Sequence, residues 1–231
     1  MTEGVSGHWG DVAPLGELVE LKRRYRFRLL LDESFSLGTL GRSGKGALEE
    51  FGVERKDVEV ASADLANAIA TVGGFCVGEV GVVSHQRLSG AGYCFSASQP
   101  PYMAVAATEA LNILEEEGEG LVTTLRQNIK IFQQALDIES VGGGWQVNGS
   151  EKSPLMHIRC ASKQSSDDIY VFESIHKSCL ANRVLVGVPK YVENETFPPP
   201  PSVRIAISVQ HSHSDLVHAA SVLRKAILDA I

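Results

Sequence analysis

The chain has 231 residues, a formal net charge of -7 and 44% apolar residues, which is the composition of a globular protein with a sizeable core. Its acidity argues against a nucleic-acid partner, because a surface that binds phosphates must be basic. No stretch approaches the ~18 apolar residues that cross a bilayer, and no signal peptide opens the chain. We therefore expect a soluble chain without a membrane span.

The four cysteines show no Cys-x-x-Cys spacing and lie in apolar or strand-like stretches. This pattern predicts buried, reduced thiols and excludes a disulfide or zinc framework. His211, His213 and His218 follow one another closely, but no cysteine or acidic cluster accompanies them. We expect helix-cap and surface roles for these histidines and no metal site.

In the first half of the chain, short apolar runs alternate with helical patterns, which predicts an α/β fold. The run 27–31 ends in Asp32, as expected of a buried parallel strand whose polar end faces a ligand. Strands are predicted at 27–31, 58–62, 74–77 and 80–84, and helices at 15–25 and 46–51.

From Pro101 the pattern is that of a long helix, which we expect to be broken or bent at Gly118 and Gly120. A smaller α+β unit follows, with strands at 155–160, 184–188 and 202–209. Ser212 or Ser214 is expected to cap a final helix. The proline-rich segment 193–201 is predicted to be an extended loop. The predicted division is 1–125, a connecting helix at 126–137, and 138–231.

The glycine-rich segment 38–46 invites comparison with a phosphate-binding loop. It fails the Walker spacing, since Thr39 and Gly46 stand where that motif needs Gly and Ser or Thr, and it does not match G-x-G-x-x-G. We therefore interpret it as a structural loop, in which glycines permit tight turns, in preference to an anion site.

Three segments, 29–46, 58–75 and 93–101, together resemble the α-oxoamine synthases, which depend on pyridoxal 5'-phosphate (PLP). The first carries the L-L-L-D-E-S-F-S-L-G pattern, and the last carries Y-C-F-S-A-S-Q-P-P. The resemblance implies a PLP-dependent transferase of fold type I. The chain would supply the C-terminal part of the large domain and the small α+β domain.

The resemblance also assigns positions in the site. Asp32 stands where the family's acid pairs with the pyridine nitrogen of PLP. Asn67 occupies the place of the lysine that forms the Schiff base, and Phe35 the place of the family's histidine. A carboxamide nitrogen cannot form an imine, and phenylalanine cannot move a proton. We therefore expect no catalytic residue in this chain.

Two further assignments concern binding. Ser96 and Ser98 match hydroxyls that reach the cofactor phosphate of the other subunit in the family; the alternative is that they cap a helix entry. Arg204 matches an arginine that binds the substrate carboxylate. Because Arg204 opposes the apolar face of its predicted strand, a solvent-facing structural role remains the alternative.

Asn67, Phe35 and the segment 84–101 are together similar to one branch, the non-catalytic long-chain-base subunits of serine palmitoyltransferase. This implies a heterodimer with a catalytic subunit that holds the PLP and condenses L-serine with palmitoyl-CoA to 3-ketodihydrosphingosine. It also implies small regulatory membrane subunits and a place on the cytosolic face of the endoplasmic reticulum membrane, reached through the complex.

Family members carry an N-terminal membrane helix and a first half of the PLP domain, so we expect a truncated chain with unpaired sheet edges. Two alternatives to a non-catalytic subunit stay open. One is a working PLP enzyme with a relocated lysine, for which Lys45 and Lys56 are nearest in sequence. The other is an inactive fragment that binds the partner.

Overall fold

The computed structural model describes residues 1–192 and 194–230. The chain forms two compact units: the larger comprises Met1–Gly7 and Val12–Thr123, and the smaller comprises His8–Asp11 and Thr124–Ile231. The short segment 8–11 thus packs with the C-terminal part of the chain. Among the described residues, no helix has the length and hydropathy needed to cross a membrane.

The larger unit is built on a four-stranded sheet in the order β1-β2-β3-β4. The first three strands are parallel and β4 is antiparallel to β3. The strands are β1 (Thr2–Glu3), β2 (Leu30–Asp32), β3 (Val60–Asp64) and β4 (Gly74–Gly78). The helices are α1 (Leu15–Tyr25), α2 (Ala47–Phe51), α3 (Val80–Ser89), α4 (Ala91–Phe95) and the first part of α5 (Pro101–Leu136).

The smaller unit contains an antiparallel sheet in the order β5-β6-β7. Its strands are β5 (Trp145–Asn148), β6 (Leu155–Cys160) and β7 (Val203–Ala206), and its helices after α5 are α6 (Ile169–Ala181) and α7 (His213–Leu228). Met156 and Ile158 on β6 and Val203 and Ile205 on β7 belong to one apolar core with the helices. Their period of two is that of strands with one apolar face.

The predicted cap of the last helix is confirmed at Ser212. Its hydroxyl accepts a hydrogen bond from the backbone N–H of Asp215 (3.2 Å), and the Asp215 carboxylate accepts one from the backbone N–H of Ser212 (3.2 Å). This reciprocal pair is a capping box, and it satisfies donors that the first helical turn leaves free. The Ser212 hydroxyl and N–H hold the pKa of Asp215 below its usual range.

Two strand predictions are wrong. Residues 80–84 begin helix α3 instead, and residues 184–188 form only an isolated bridge between Gly187 and Arg204. Short runs rich in valine fit a strand or a helix equally well by periodicity alone. The ladder between β3 and β4 ends at the pair Val60 and Gly78, and α3 begins at Val80.

The predicted break in the long helix is also wrong, because α5 is continuous over its 36 residues. Glycine is needed at position 118 for a different reason. A Cβ atom at this position would lie 2.1 Å from the carbonyl oxygen of Ser43, so only glycine lets the helix pass the glycine-rich loop. Gly120 faces open space, with nothing within 4 Å of a Cβ atom.

The four cysteines are free thiols, as predicted. Cys160 and Cys179 are buried, and burial raises the pKa of the Cys179 thiol to about 11. Cys76 is half-buried and Cys94 is exposed, so the expectation of four buried cysteines is wrong for these two. Cys94 lies on α4, whose residues are all solvent-exposed.

The two glycines of α5 make a matched pair for a test of close approach. We expect Gly118→Ala to lower the free energy of unfolding by about 1–3 kcal/mol, because the helix must move away from the Ser43 carbonyl. We expect Gly120→Ala to raise it by about 0.5–1 kcal/mol, because alanine loses less backbone entropy in a helix. Urea unfolding of both variants measures this. Equal effects of the same sign would contradict the close-approach explanation.

Candidate functional site

Polar side chains gather where β2 and β3 end. These strands are parallel, with Asp32 opposite Ser62 in the ladder, so their carboxyl ends meet at one edge of the sheet. Asp64 ends β3, and its backbone N–H donates to the hydroxyl of Ser34 just after β2 (2.9 Å). Open α/β sheets place their ligands at this edge.

A cleft of about 630 Å³ opens at this edge within the larger unit. Its size lies in the range of small-molecule and cofactor sites. The two strand ends form one wall, and the residues that enter β4 and leave α4 form the others. The lining residues are Asp32, Ser34, Ser62, Ala63, Asp64, Gly73, Gly74, Phe75, Cys76, Gly92, Tyr93, Ser96, Ala97, Ser98 and Gln99.

The predicted residues Asp32, Ser96 and Ser98 all line this cleft. Oδ1 of Asp32 accepts a hydrogen bond from the backbone N–H of Ser34 (2.8 Å), which fixes the orientation of the carboxylate. The Ser96 hydroxyl donates to the carbonyl of Gly92, while Ser98 is exposed. The cleft thus combines one oriented acid with several hydroxyl groups.

Asn67 lies on the loop between β3 and β4, and its side-chain nitrogen is held by hydrogen bonds. Nδ2 donates to the carbonyl oxygen of Ser34 (2.9 Å) and lies 3.0 Å from each carboxylate oxygen of Asp64. The Asp64 carboxylate also accepts the backbone N–H groups of Ala66 (3.0 Å) and Asn67 (3.3 Å). Asn67 therefore acts as a structural tie between the ends of β2 and β3.

Phe35 and Arg204 lie outside this cleft lining. The ring of Phe35 packs against the backbone of Gly7, where a Cβ atom would lie 2.8 Å from the ring. Arg204 belongs to the smaller unit, on the exposed face of β7, and its backbone N–H and C=O pair with Gly187 (2.7 and 2.8 Å).

The glycine-rich loop is a structural loop, as predicted, because carboxylates of the chain already occupy its N–H groups. Glu49 accepts from the backbone N–H of Ser43 (3.1 Å) and of Lys45 (3.0 Å), and Glu50 accepts from that of Gly41 (3.0 Å). The loop does bind anionic groups, but they are its own side chains. This leaves those donors unavailable to a phosphate.

None of the lysines that the structure describes lines the cleft. Lys22 pairs with Glu59 (2.7 Å), Lys56 pairs with Glu54 (2.6 Å), and Lys45 is exposed. The cleft offers PLP room and an acid, but no amine to hold it as a Schiff base. The residues present therefore do not fit covalent attachment of the cofactor by this chain.

Several lining residues were not predicted from the sequence, among them Ser62, Cys76 and Gln99. Ser62 could have been predicted, because it follows the apolar part of β3 just as Asp32 follows that of β2. Cys76 and Gln99 carry no such local signal. Their position depends on the β3–β4 hairpin and on the turn before α5, where Gln99 packs 3.1 Å from a Cβ position on Gly73.

Comparison with known proteins places this geometry in a family. Residues 1–223 match the family model of aminotransferase class I and II. The chain belongs to this family. The fold is that of serine palmitoyltransferase structures: the K265A variant from S. paucimobilis with a bound PLP–myriocin aldimine superposes with a TM-score of 0.82 at 22% identity. That comparison covers 99% of this chain and 54% of the other. The predicted fold class is confirmed.

Curated relatives agree with the predicted branch. The chain is 37% identical over 229 residues to long chain base biosynthesis protein 1c of Oryza sativa subsp. japonica, covering 97% of this chain and 46% of the relative. It is 33% identical to serine palmitoyltransferase 1 of Dictyostelium discoideum, covering 96% of this chain and 48% of that relative. The chain spans about half the length of the curated relatives it matches.

The Glu49 carboxylate generates a pH prediction. Burial alone raises its pKa, but hydrogen bonds from the Ser43 hydroxyl and from the backbone of Lys45 and Ser43 outweigh burial, so the pKa lies below its ordinary value. A depressed pKa stabilises the folded state above the unfolded pKa of about 4.3, and this contribution is lost as pH falls through the folded pKa.

We expect Glu49→Gln to lower the free energy of unfolding by about 1 kcal/mol at neutral pH, because the charged acceptor is lost. The difference from the parent chain should shrink as the pH falls through the lowered pKa of Glu49 in the folded chain, because Glu49 itself then becomes protonated. Urea unfolding across this pH range is the measurement. Glu116→Gln, at an exposed position on α5, is the matched control and should show no such convergence.

Proposed function

We propose that this chain is a non-catalytic subunit of serine C-palmitoyltransferase, supporting the condensation of L-serine with palmitoyl-CoA in sphingolipid biosynthesis. The observation that carries the proposal is the identity and the hydrogen bonding of Asn67. The residue at the lysine position is a carboxamide bonded to Ser34 and Asp64, and none of the described lysines reaches the cleft. We take the reaction from the names of the relatives, which refer to long chain base biosynthesis and to serine palmitoyltransferase.

On this proposal PLP is held covalently by a homologous catalytic subunit. This chain contributes the carboxylate of Asp32 and the hydroxyls of Ser96 and Ser98 towards a cofactor, and Arg204 towards a substrate carboxylate. We further infer that the larger unit corresponds to the C-terminal part of the family's large domain and the smaller unit to its small domain. The complex would act at the cytosolic face of the endoplasmic reticulum membrane.

The surface formed by α3, α4 and the start of α5 has the character of a binding site for a partner protein. Val80, Leu88 and Phe95 are 83%, 85% and 89% exposed, although they are large apolar residues. Exposed apolar surface marks protein interaction sites where it is contiguous. Ser96 and Ser98 follow directly, so the same segment carries the apolar contact and the hydroxyl groups. The other exposed apolar residues of this surface are Tyr93, Tyr102 and Val105.

The first test concerns the cofactor. We expect the purified chain mixed with PLP to show no internal-aldimine absorbance and no borohydride-stable adduct at a single site, because none of the lysines within residues 1–192 and 194–230 lines the cleft. Mass mapping after reduction is the measurement, and scattered substoichiometric lysine labelling is the background. A stoichiometric adduct on one lysine, such as Lys45 or Lys56, would overturn the proposal in favour of a relocated lysine.

The second test concerns the partner. We expect Phe95→Asp to weaken co-purification with the catalytic subunit by at least about 30-fold, since a charge would be buried at the centre of the contact. Leu180→Asp, at a residue on α6 that is 52% exposed, is the matched control and should leave binding unchanged. If Phe95→Asp still forms the complex, the interface does not include the surface around Phe95.

Activity separates the proposal from an inert fragment. The catalytic subunit should gain palmitoyltransferase activity when this chain is added and lose the gain with Phe95→Asp. A stable complex without any gain in activity would instead identify the chain as an inactive partner-binding fragment.

A further inference from the structure

The smaller unit contains a second polar cluster, on the sheet face turned away from its core. His157 and Arg159 alternate on β6 with the core residues Met156 and Ile158. His157 pairs across the ladder with Arg204, and its Nδ1 lies 2.9 Å from the hydroxyl of Ser202. This face is covered along β6, where His157 and Arg159 are 0% and 2% exposed, although Arg204 on β7 is exposed.

Arg159 is held beneath the segment 8–11, which we name the strap. Its Nη2 donates to the carbonyl oxygen of His8 (2.7 Å), and its guanidinium lies 4.0 Å from the ring centroid of Trp9. Among the residues that the structure describes, Nε and Nη1 of Arg159 have no hydrogen-bond acceptor. Two donors of a buried cation are therefore unsatisfied.

A third unsatisfied donor accompanies them. The hydroxyl of Tyr191 is also buried without a partner among the described residues, and its ring lies 5.3 Å from that of His8. Burial raises the pKa of Tyr191, and the charges of Arg159 and Arg204 only partly offset the rise, so the phenol remains a donor at neutral pH. Both guanidinium groups thus act on this hydroxyl.

The charge balance of the cluster favours an anion. Among the residues that the structure describes, Asp11 is the carboxylate that acts on Arg159 electrostatically, and it makes none of the hydrogen bonds that Nε and Nη1 lack. An arginine cannot release its proton to relieve burial, and each unpaired buried donor costs free energy. Each free N–H group of this guanidinium can make a charge-assisted hydrogen bond to an oxygen of a carboxylate or phosphate.

We propose that Arg159 and Tyr191 form a binding site for a small oxyanion, a carboxylate or a phosphate, covered by the strap. The site needs no cofactor and does not depend on the proposed function. Entry requires the strap to lift. Trp9 is 40% exposed and the strap is fastened by the backbone bond from Ser150 N–H to the Gly10 carbonyl (3.0 Å), so the cover consists of few contacts.

Trp9 provides the readout, because it stacks on the guanidinium that the anion would bind. The full chain is titrated with inorganic phosphate and, separately, with succinate, while chloride keeps the ionic strength constant. We expect a saturable change in tryptophan fluorescence and a rise in Tm with at least one of the two anions. The stronger anion identifies the ligand class. Trp9→Phe should remove the fluorescence change and keep the rise in Tm.

Two variants test the assignment. Tyr191→Phe removes only the hydroxyl and should weaken binding by about 10–100-fold, as expected of a hydrogen bond to a charged group. Arg159→Lys keeps the charge but not the planar set of N–H donors, and should weaken it at least as much. Arg204→Gln is the control and should reduce affinity less than either. No saturable response of the parent chain to either anion overturns the proposal, and so does binding by Tyr191→Phe and Arg159→Lys that is as tight as that of the parent chain.

Discussion

The larger unit depends on the buried carboxylate of Glu33, one residue beyond the end of β2. It accepts hydrogen bonds from the backbone N–H groups of Ala47 (2.9 Å) and Leu48 (3.4 Å) and from the hydroxyl of Ser36. A buried carboxylate without donors costs several kcal/mol, so these contacts are obligatory. They join the strand end, the glycine-rich loop and the start of α2. Asp32, the adjacent residue, is positioned in the cleft as a result.

Acidic side chains divide into two groups at this edge of the sheet. Glu33, Glu49 and Glu50 accept hydrogen bonds from backbone N–H groups of the glycine-rich loop and of α2, so their role is structural. Asp32 accepts one backbone N–H and still lines the cleft. The glycine-rich loop therefore lies beside the end of β2 without lining the cleft itself.

Local patterns were sufficient where the outcome was local. The bounds of α1 and β6 are those predicted, because a helical and a strand period each span the whole element. Long-range contacts decided the failures: Gly118 was read as a helix breaker, yet its cause is the Ser43 carbonyl. Likewise, the site residues Asp32, Ser96 and Ser98 came from motif resemblance, whereas the bond between Arg159 and His8 joins residues 151 positions apart and has no local signature.

The bonding of Asn67 has a consequence for reversibility. A chain that had merely lost its lysine would regain the amine by one substitution. Here the amide of Asn67 ties Ser34 to Asp64, and a lysine aimed at the cleft would give up that tie. If Asn67 occupies the family's lysine position, as we propose, a lysine there would therefore require compensating changes on both neighbouring strand ends.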